Sequence, residues 1–329
     1  MTTIQPRAPR EPIVPPGQVE HHAADMSVTF SADLTLAELQ RQLAEKSQWL
    51  PIDGAPHDDA IAGETGGARW NLGQMVLRNS TGPLRLGFGG WRDLLLGAQF
   101  INGRGELITV GGRVVKNVAG YDLTKLLVGS HGVFGTPITL TTRTCKRPAG
   151  AVHAHFDRGA LNLPELLASP MRPQWISQSG QIVVGYLGDA DTLNYYRNQL
   201  AGMSARVVND GLSVDEDAGL RHKLWPAGSA RCRVSVPPDM LDEFIDRSKL
   251  WPYLADPAFG IVLSGGGMDV DRAAIRSAAR AVGGQAMFFD ESGRFIEMSM
   301  DPAAFDVLKR LKSAFDPDGS LTPLPANIA

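Results

Sequence analysis

The sequence predicts a two-domain α+β protein, and three observations carry the prediction. Its 329 residues, 43% hydrophobic and 20% charged, suit roughly two globular cores. Up to Pro148, glycine-rich turns punctuate short strands and short amphipathic segments. Beyond Pro148, strand-like and helix-like runs alternate, the pattern of an open sheet with helices on one face.

The elements follow in order. Residues 1–25 read as an extended arm, because Met1 to His22 hold five prolines and no apolar periodicity. From Met26, MSVTFSA alternates as a strand, and LTLAELQRQLAEKSQWL reads as a helix with Leu36, Leu39 and Leu43 on one face, closed by Pro51. A long loop rich in Gly and Asp follows. Leu94–Ile101 is apolar enough for a buried strand, Asn102-Gly103-Arg104-Gly105 is a turn, and Glu106–Val110 returns beside it.

The run from Gly111 to Pro148 is the densest in glycine-rich turns. Tyr121, Leu123, Leu126 and Leu127 form an apolar stripe, Asp122 can accept N–H bonds at its start, and Gly129 can end it in the left-handed region. Gly132 and Gly135 bracket Val133 and Phe134, as a backbone does when it turns tightly or lies against a ligand. Ile138, Leu140 and Thr142 then alternate with Thr139, Thr141 and Arg143 as in a half-buried strand. From residue 149 to 329 the strands AVHAHF, QIVVGYLG, ARVVND, ARCRVSVPP, FGIVLSGGG and QAMFFD interleave with helices at LPELLAS, DTLNYYRNQLAGM, DMLDEFIDRSKLW and DRAAIRSAARAVG. A last helix lies at AAFDVLKRLKSAF. This order predicts ferredoxin-like layers, with two copies side by side as one option, although no sequence repeat marks a duplication.

Composition narrows the function. A net charge of -3 gives no basic field for nucleic acid. Cys145 and Cys232 lie far apart without CxxC spacing, which suggests neither a disulfide framework nor an iron-sulfur or zinc site and fits a reducing cytoplasm. No apolar run reaches the ~20 residues of a membrane span, and the proline-rich start is unlike a signal peptide, so contact with a membrane is expected only through a partner.

Two strings, Lys116-Asn117-Val118-Ala119-Gly120-Tyr121-Asp122-Leu123 and Gly129-Ser130-His131-Gly132-Val133-Phe134-Gly135, resemble the second half of the FAD-binding domain of the vanillyl-alcohol-oxidase (PCMH) type, and within it the glycolate oxidase E-subunit family. The resemblance implies a PCMH-type FAD-binding domain over 26–148, shortened in its first lobe, and a ferredoxin-like α+β cap over 149–329. It implies FAD as cofactor. Gly66 and Gly67 match a Gly-Gly pair beside the flavin, and Ser80, Thr81 and Gly82 match a small-residue loop on the same side. Backbone groups around Gly132, Gly135, Thr136 and Ile138 match the positions that hold adenine and ribityl atoms, and Asn117 and Tyr121 belong to the same cofactor-binding set. Arg92, Asp93 and Gly97 match further family positions, and Phe315–Pro323 matches a C-terminal signature, with Leu324 where the family has glycine.

Two departures stand out. The family's early glycine-rich loop supplies pyrophosphate donors, and Pro15-Pro16-Gly17 lacks the N–H groups such a nest requires. Pro137 replaces an aliphatic residue with a free N–H, which is harmless at the start of a strand.

No catalytic base can be singled out. His21 and His22 fall in the arm, His57 with Asp58 and Asp59 in a solvated loop, and His131 in the cofactor loop, where packing or loop solvation is the expected role. His153 and His155 share a strand face, and without a third ligand surface placement is expected rather than a metal site. Arg85, Arg92, Arg113 and Lys116 can offer charge to an anion or serve as solvated or ion-paired side chains, with Arg92 the most structural. The histidine and acidic metal-binding motif of the family's D subunit does not occur, so the resemblance points to the E subunit. The implied role is the FAD-binding subunit of a glycolate oxidase (glycolate dehydrogenase) complex oxidising the 2-hydroxy acid glycolate to glyoxylate. Its implied partners are a D-type flavoprotein and an iron-sulfur F-type subunit. A flavin-free scaffold of the same complex and a stand-alone FAD-dependent hydroxy-acid or alcohol dehydrogenase are the alternatives.

Overall fold

The structure is a computed structural model that describes residues 13–53, 71–112, 123–203, 206–223, 230–265, 271–290, 294–298 and 300–327. Its first lobe contains β1 (Val19–His22), β2 (Ser27–Ser31), β3 (Gln48–Trp49), β4 (Leu95–Ile101), β5 (Leu107–Gly111), β6 (Thr136–Arg143) and β7 (Cys145–Lys146). Helices α1 (Leu36–Ala44), α2 (Leu72–Arg78), α3 (Arg85–Phe88), α4 (Trp91–Leu94) and α5 (Thr124–Leu127) join them. Five strands form one antiparallel sheet in the order β1-β2-β6-β4-β5, while β3 pairs with β7.

Local chemistry explains these elements. Thr35 and Glu38 start α1 with a reciprocal capping box, and Leu39 and Leu43 bury its inner face. The helix ends at Ala44 rather than near Leu50: Ser47 turns left-handed, and Gln40 bonds both backbone groups of Leu50, laying β3 back along the helix. Asn102 closes the β4–β5 turn by accepting from Arg104 and Glu106 N–H, with Gly105 at φ 74°. β6 is buried on both sides, against the half-buried expectation: Val28, Phe30 and Leu140 enter the main core, while Thr139 and Thr141 are enclosed with Ser27, Thr29 and Gln99. Thr29 and Thr141 satisfy each other at 3.0 Å. Pro137 pairs opposite Phe100 at a register shift, where the missing N–H is tolerated.

Part of the expected arm is ordered into this sheet. Pro15 O accepts from Gln18 N across a turn with Gly17 at φ 72°, and Val19–His22 then pairs with β2 as its edge strand. A short polar edge strand carries no apolar alternation, so the sequence gives no sign of it.

The second lobe runs β8 (Gly150–Asp157), α6 (Leu163–Ala168), β9 (Trp175–Ser179), β10 (Gln181–Gly188), α7 (Ala190–Ala201), β11 (Arg206–Leu212) and α8 (Val214–Lys223). It continues with β12 (Ala230–Ser235), α9 (Leu241–Ser248), β13 (Tyr253–Asp256), β14 (Ile261–Gly265), α10 (Arg272–Ala281), β15 (Gln285–Phe289), β16 (Phe295–Met298), α11 (Pro302–Phe315) and β17 (Ala326–Asn327). The sheet order β11-β8-β10-β9-β13-β14-β12-β15-β16-β17 contains two βαββαβ units, each with the strand order fourth-first-third-second. They meet edge to edge where Ala255 of β13 pairs with Gln178 of β9. The duplication therefore exists in topology without a sequence repeat.

Helices α6, α7, α9 and α10 cover one face of this sheet, as expected, but α8 and the first lobe pack on the opposite face of the first unit. Ala151, Trp175, Val183, Leu187 and Val214 pack there with Trp49 and Leu84 of the first lobe, and half-buried Phe88 adds to them. The C-terminal segment also crosses between lobes. Phe315 packs on Phe100 and Phe134, and Lys312 donates to Val133 O, Thr322 O and Asp316. Gly103 N bonds Phe315 O, so the tail closes over the β4–β5 turn.

Candidate functional site

The C-terminal turn of α2 organises the described part of the candidate cofactor site. Asn71 and Gln74 cap the start of α2, and Asn79 ends it in the left-handed region at φ 50°. Val76 O and Leu77 O then accept N–H bonds from Gly129 and His131, so the loop after α5 hangs on this turn. Ser80 follows directly, its N–H on Met75 O and its own carbonyl taken by the Trp91 indole at 2.8 Å. The C-terminal turn of α2 thus holds both Ser80 and the Gly129–His131 segment, although about fifty residues separate them in sequence. Thr136 and Ile138 continue from the loop into β6, where Ile138 O accepts from Ala32 N. Gly66, Gly67, Asn117 and Tyr121 lie outside the described residues, as do His57, Asp58, Asp59, Arg113 and Lys116.

The loop has left-handed residues at Gly129 (φ 79°), His131 (φ 53°) and Gly132 (φ 81°), and a positive φ at histidine is uncommon enough to mark a constrained backbone. The Ser130 hydroxyl is buried with no partner among the described residues. His131 packs its ring 4.5 Å from Phe295 and 5.8 Å from Phe289, centroid to centroid. Burial, with the charges of Arg78 and Arg233 nearby, pushes its pKa down to about 4, so it is neutral at pH ~7.

Three of the site glycines approach the protein's own atoms. A Cβ on Gly135 would stand 2.5 Å from a Phe100 ring carbon and 2.7 Å from Ile101 O. On Gly132 it would meet Thr322 Oγ1 at 3.0 Å, and on Gly82 the Asp53 carboxylate from 2.5 Å. Tight packing therefore accounts for glycine at these positions before any ligand is considered. Arg92 is exposed, and Asp93 accepts from Gly90 N to cap α4, a structural role for Asp93. Arg85 stacks over Phe259 at 4.2 Å, and half-buried Asp256 beside it has its pKa pushed up to about 7, chiefly by desolvation.

A second polar group, which sequence reasoning missed, sits where the lobes meet. His153, expected at the surface, is 1% exposed and donates through Nε2 to Asp217 Oδ1, which also accepts the Trp175 indole N–H at 3.1 Å. Arg221 pairs with Asp217 one helical turn away and, at 3.1 Å, with Asp53 of the first lobe. Burial and the Arg221 charge push His153 down to about 4, so its imidazole is neutral. Two signals in the sequence pointed here: Asp217 and Arg221 stand at i,i+4, and Gly185 interrupts an apolar strand. In the structure Gly185 lies opposite both Trp175 and His153, and its bare Cα makes room for the indole.

This two-lobed arrangement is the PCMH-type fold of FAD-binding oxidoreductases. The chain superposes on alkyldihydroxyacetonephosphate synthase with a TM-score of 0.59 at 14% identity, covering 89% of this chain and 63% of the synthase. In sequence it is a relative of glycolate oxidase subunit GlcE of Escherichia coli, 28% identical over 321 residues that cover 93% of this chain and 83% of GlcE. Glycolate oxidase subunit GlcD of Bacillus subtilis is 31% identical over 154 residues, 45% of this chain and 31% of GlcD. An uncharacterized FAD-linked oxidoreductase of Mycobacterium tuberculosis is 21% identical over 77% of this chain and 69% of its own length. No protein-family model matches the chain.

Proposed function

We propose that this protein is the E-type, FAD-binding subunit of a glycolate oxidase complex that oxidises glycolate to glyoxylate. The observation that carries the reading is the similarity to GlcE along 93% of the chain, where the D-type relative matches less than half. The candidate loops fit a polar cofactor: the Ser130 hydroxyl, buried with no partner among the described residues, lies in a left-handed loop hung on the α2 turn that leads into Ser80. In this reading Gly66, Gly67, Ser80, Thr81, Gly82, Asn117 and Tyr121, with backbone of Gly132, Gly135, Thr136 and Ile138, hold the FAD. Bound flavin supplies two-electron chemistry that passes on as single electrons. A D-type flavoprotein provides the substrate-side base, because His131 is enclosed by phenylalanines and His153 is committed to Asp217. An iron-sulfur subunit receives the electrons. The complex is cytoplasmic and peripheral to the inner membrane through its partners; no helix among the described residues is long and apolar enough to cross one.

One observation favours a second reading, a flavin-free scaffold of the same complex: Gly82, Gly132 and Gly135 are filled by the chain's own atoms. The visible spectrum of the protein, alone and co-expressed with a D-type subunit, decides between the two after acid release of any flavin. About one FAD per chain is expected; none in either preparation leaves the scaffold. Dye-linked oxidation of a hydroxy acid or alcohol by the chain alone would instead identify a stand-alone dehydrogenase.

A further inference from the structure

We propose that Arg221, on the second lobe, is a positioning residue for the Ser80–Leu84 segment of the first, acting through Asp53, so that lobe docking and the shape of this segment form one coupled unit. Asp53 is the only described link needed. Its carbonyl accepts Gly82 N–H at 3.2 Å, and its carboxylate accepts Leu84 N–H at 3.2 Å and Arg221 Nε–H at 3.1 Å. The carboxylate lies against bare Gly82, where a Cβ would come within 2.5 Å of Asp53 Cγ.

The side chains of Asp53 and Arg221 are 13% and 3% exposed, so neither charge has water as a ready substitute. A buried carboxylate stripped of its cation protonates or swings outward, and either change withdraws the acceptor that fixes Leu84 N–H. Arg221 is itself held in place. Asp217 pairs with it from the same helix, and Trp175 and His153 donate to that carboxylate from β9 and β8. Burial pushes the pKa of Asp53 up on balance, and Arg221 opposes the shift ahead of the backbone N–H donors, so the cation favours the ionised form. Arg147, at the crossing between lobes, donates through Nη2 to both carboxylate oxygens of Asp215 at the start of α8, an exposed pair at the same junction.

The test needs no cofactor. Hydrogen exchange of peptides spanning residues 80–86 is compared in the full chain and in Arg221→Met, with the β4–β6 ladder as internal reference. Exchange at 80–86 is expected to rise about tenfold or more while the ladder stays protected, with Arg221→Lys intermediate. Unchanged exchange at 80–86, or equal acceleration of the ladder, overturns the proposal. If Arg221→Met does not fold, Asp53→Ala, which removes the shared acceptor, must give the same local acceleration, and its absence there overturns the proposal as well. The consequence for cofactor binding rests on the function proposed above: FAD affinity, read by flavin fluorescence, falls about tenfold in Arg221→Met. A chain that binds no flavin but shows the local acceleration removes the cofactor reading and leaves the coupling standing.

Discussion

Replacing Gly185 by alanine tests how the lobe junction is built. Gly185 lies between Trp175 on β9 and His153 on β8, and an added Cβ would overlap the indole, with even Cδ1 only 2.6 Å away. Trp175 is fully buried and its N–H is committed to Asp217, so the ring cannot turn aside without losing that bond. Overpacking costs about 1–3 kcal/mol, and a lost hydrogen bond to a charged acceptor about 1.5–3 kcal/mol. Gly185→Ala should therefore destabilise the protein by about 3–5 kcal/mol, measured by urea denaturation followed through tryptophan fluorescence. In a Trp175→Leu background the obstruction is gone, and the same alanine should cost less than about 1 kcal/mol. A Gly185→Ala protein within about 0.5 kcal/mol of its parent, or equal costs in both backgrounds, would refute the reasoning.

Three further outcomes follow from the geometry. His153 has a folded pKa of about 4 against 6.5 in the unfolded chain, so its contribution is complete above pH ~6.5 and is lost as the pH falls toward ~4. The cost of His153→Asn should accordingly shrink by about 2–3 kcal/mol from pH ~7 to pH ~4.5, the opposing titration of Asp256 cancelling in the comparison; a constant cost contradicts the assignment. Gly135→Ala should cost about 2–3 kcal/mol in flavin-free protein, because its Cβ meets Phe100 and Ile101 O. Unchanged stability with lost flavin binding would instead give that glycine to the cofactor. Lys312→Met removes the donor shared by Val133 O, Thr322 O and Asp316, and should make the tail after Phe315 about tenfold more sensitive to limited proteolysis. Equal cleavage rates would show that the aromatic contacts of Phe315 suffice.

Much of the fold is legible locally. Strand-like apolar runs announce β4, β8, β10 and β15, Leu39 and Leu43 mark α1, and Asn102 with Gly105 marks the hairpin turn, because each signal lies within a few residues of its effect. Gly132 and Gly135 are legible as tight turns or close approaches and Gly129 as a left-handed stop, though not what the loop packs against. The sequence does not reveal α8, whose buried side chains include Asp217 and Arg221, because charges buried by pairing leave no apolar stripe. β9, β13 and β16 are equally silent, being short and defined by neighbours contributed from elsewhere in the chain.

By itself, then, the sequence determined the order of those strands and helices that carry an apolar pattern, the α+β class, the glycine-rich loop and a kinship carried by consecutive residues. Only the tertiary structure decided that His153 is internal, that the free face of the first βαββαβ unit is a lobe interface, and that Ser80 and the Gly129–His131 segment share the C-terminal turn of α2. The reason is physical: periodicity reports the face a segment buries against its nearest layer, whereas a second burial depends on surfaces that meet only after both lobes have formed.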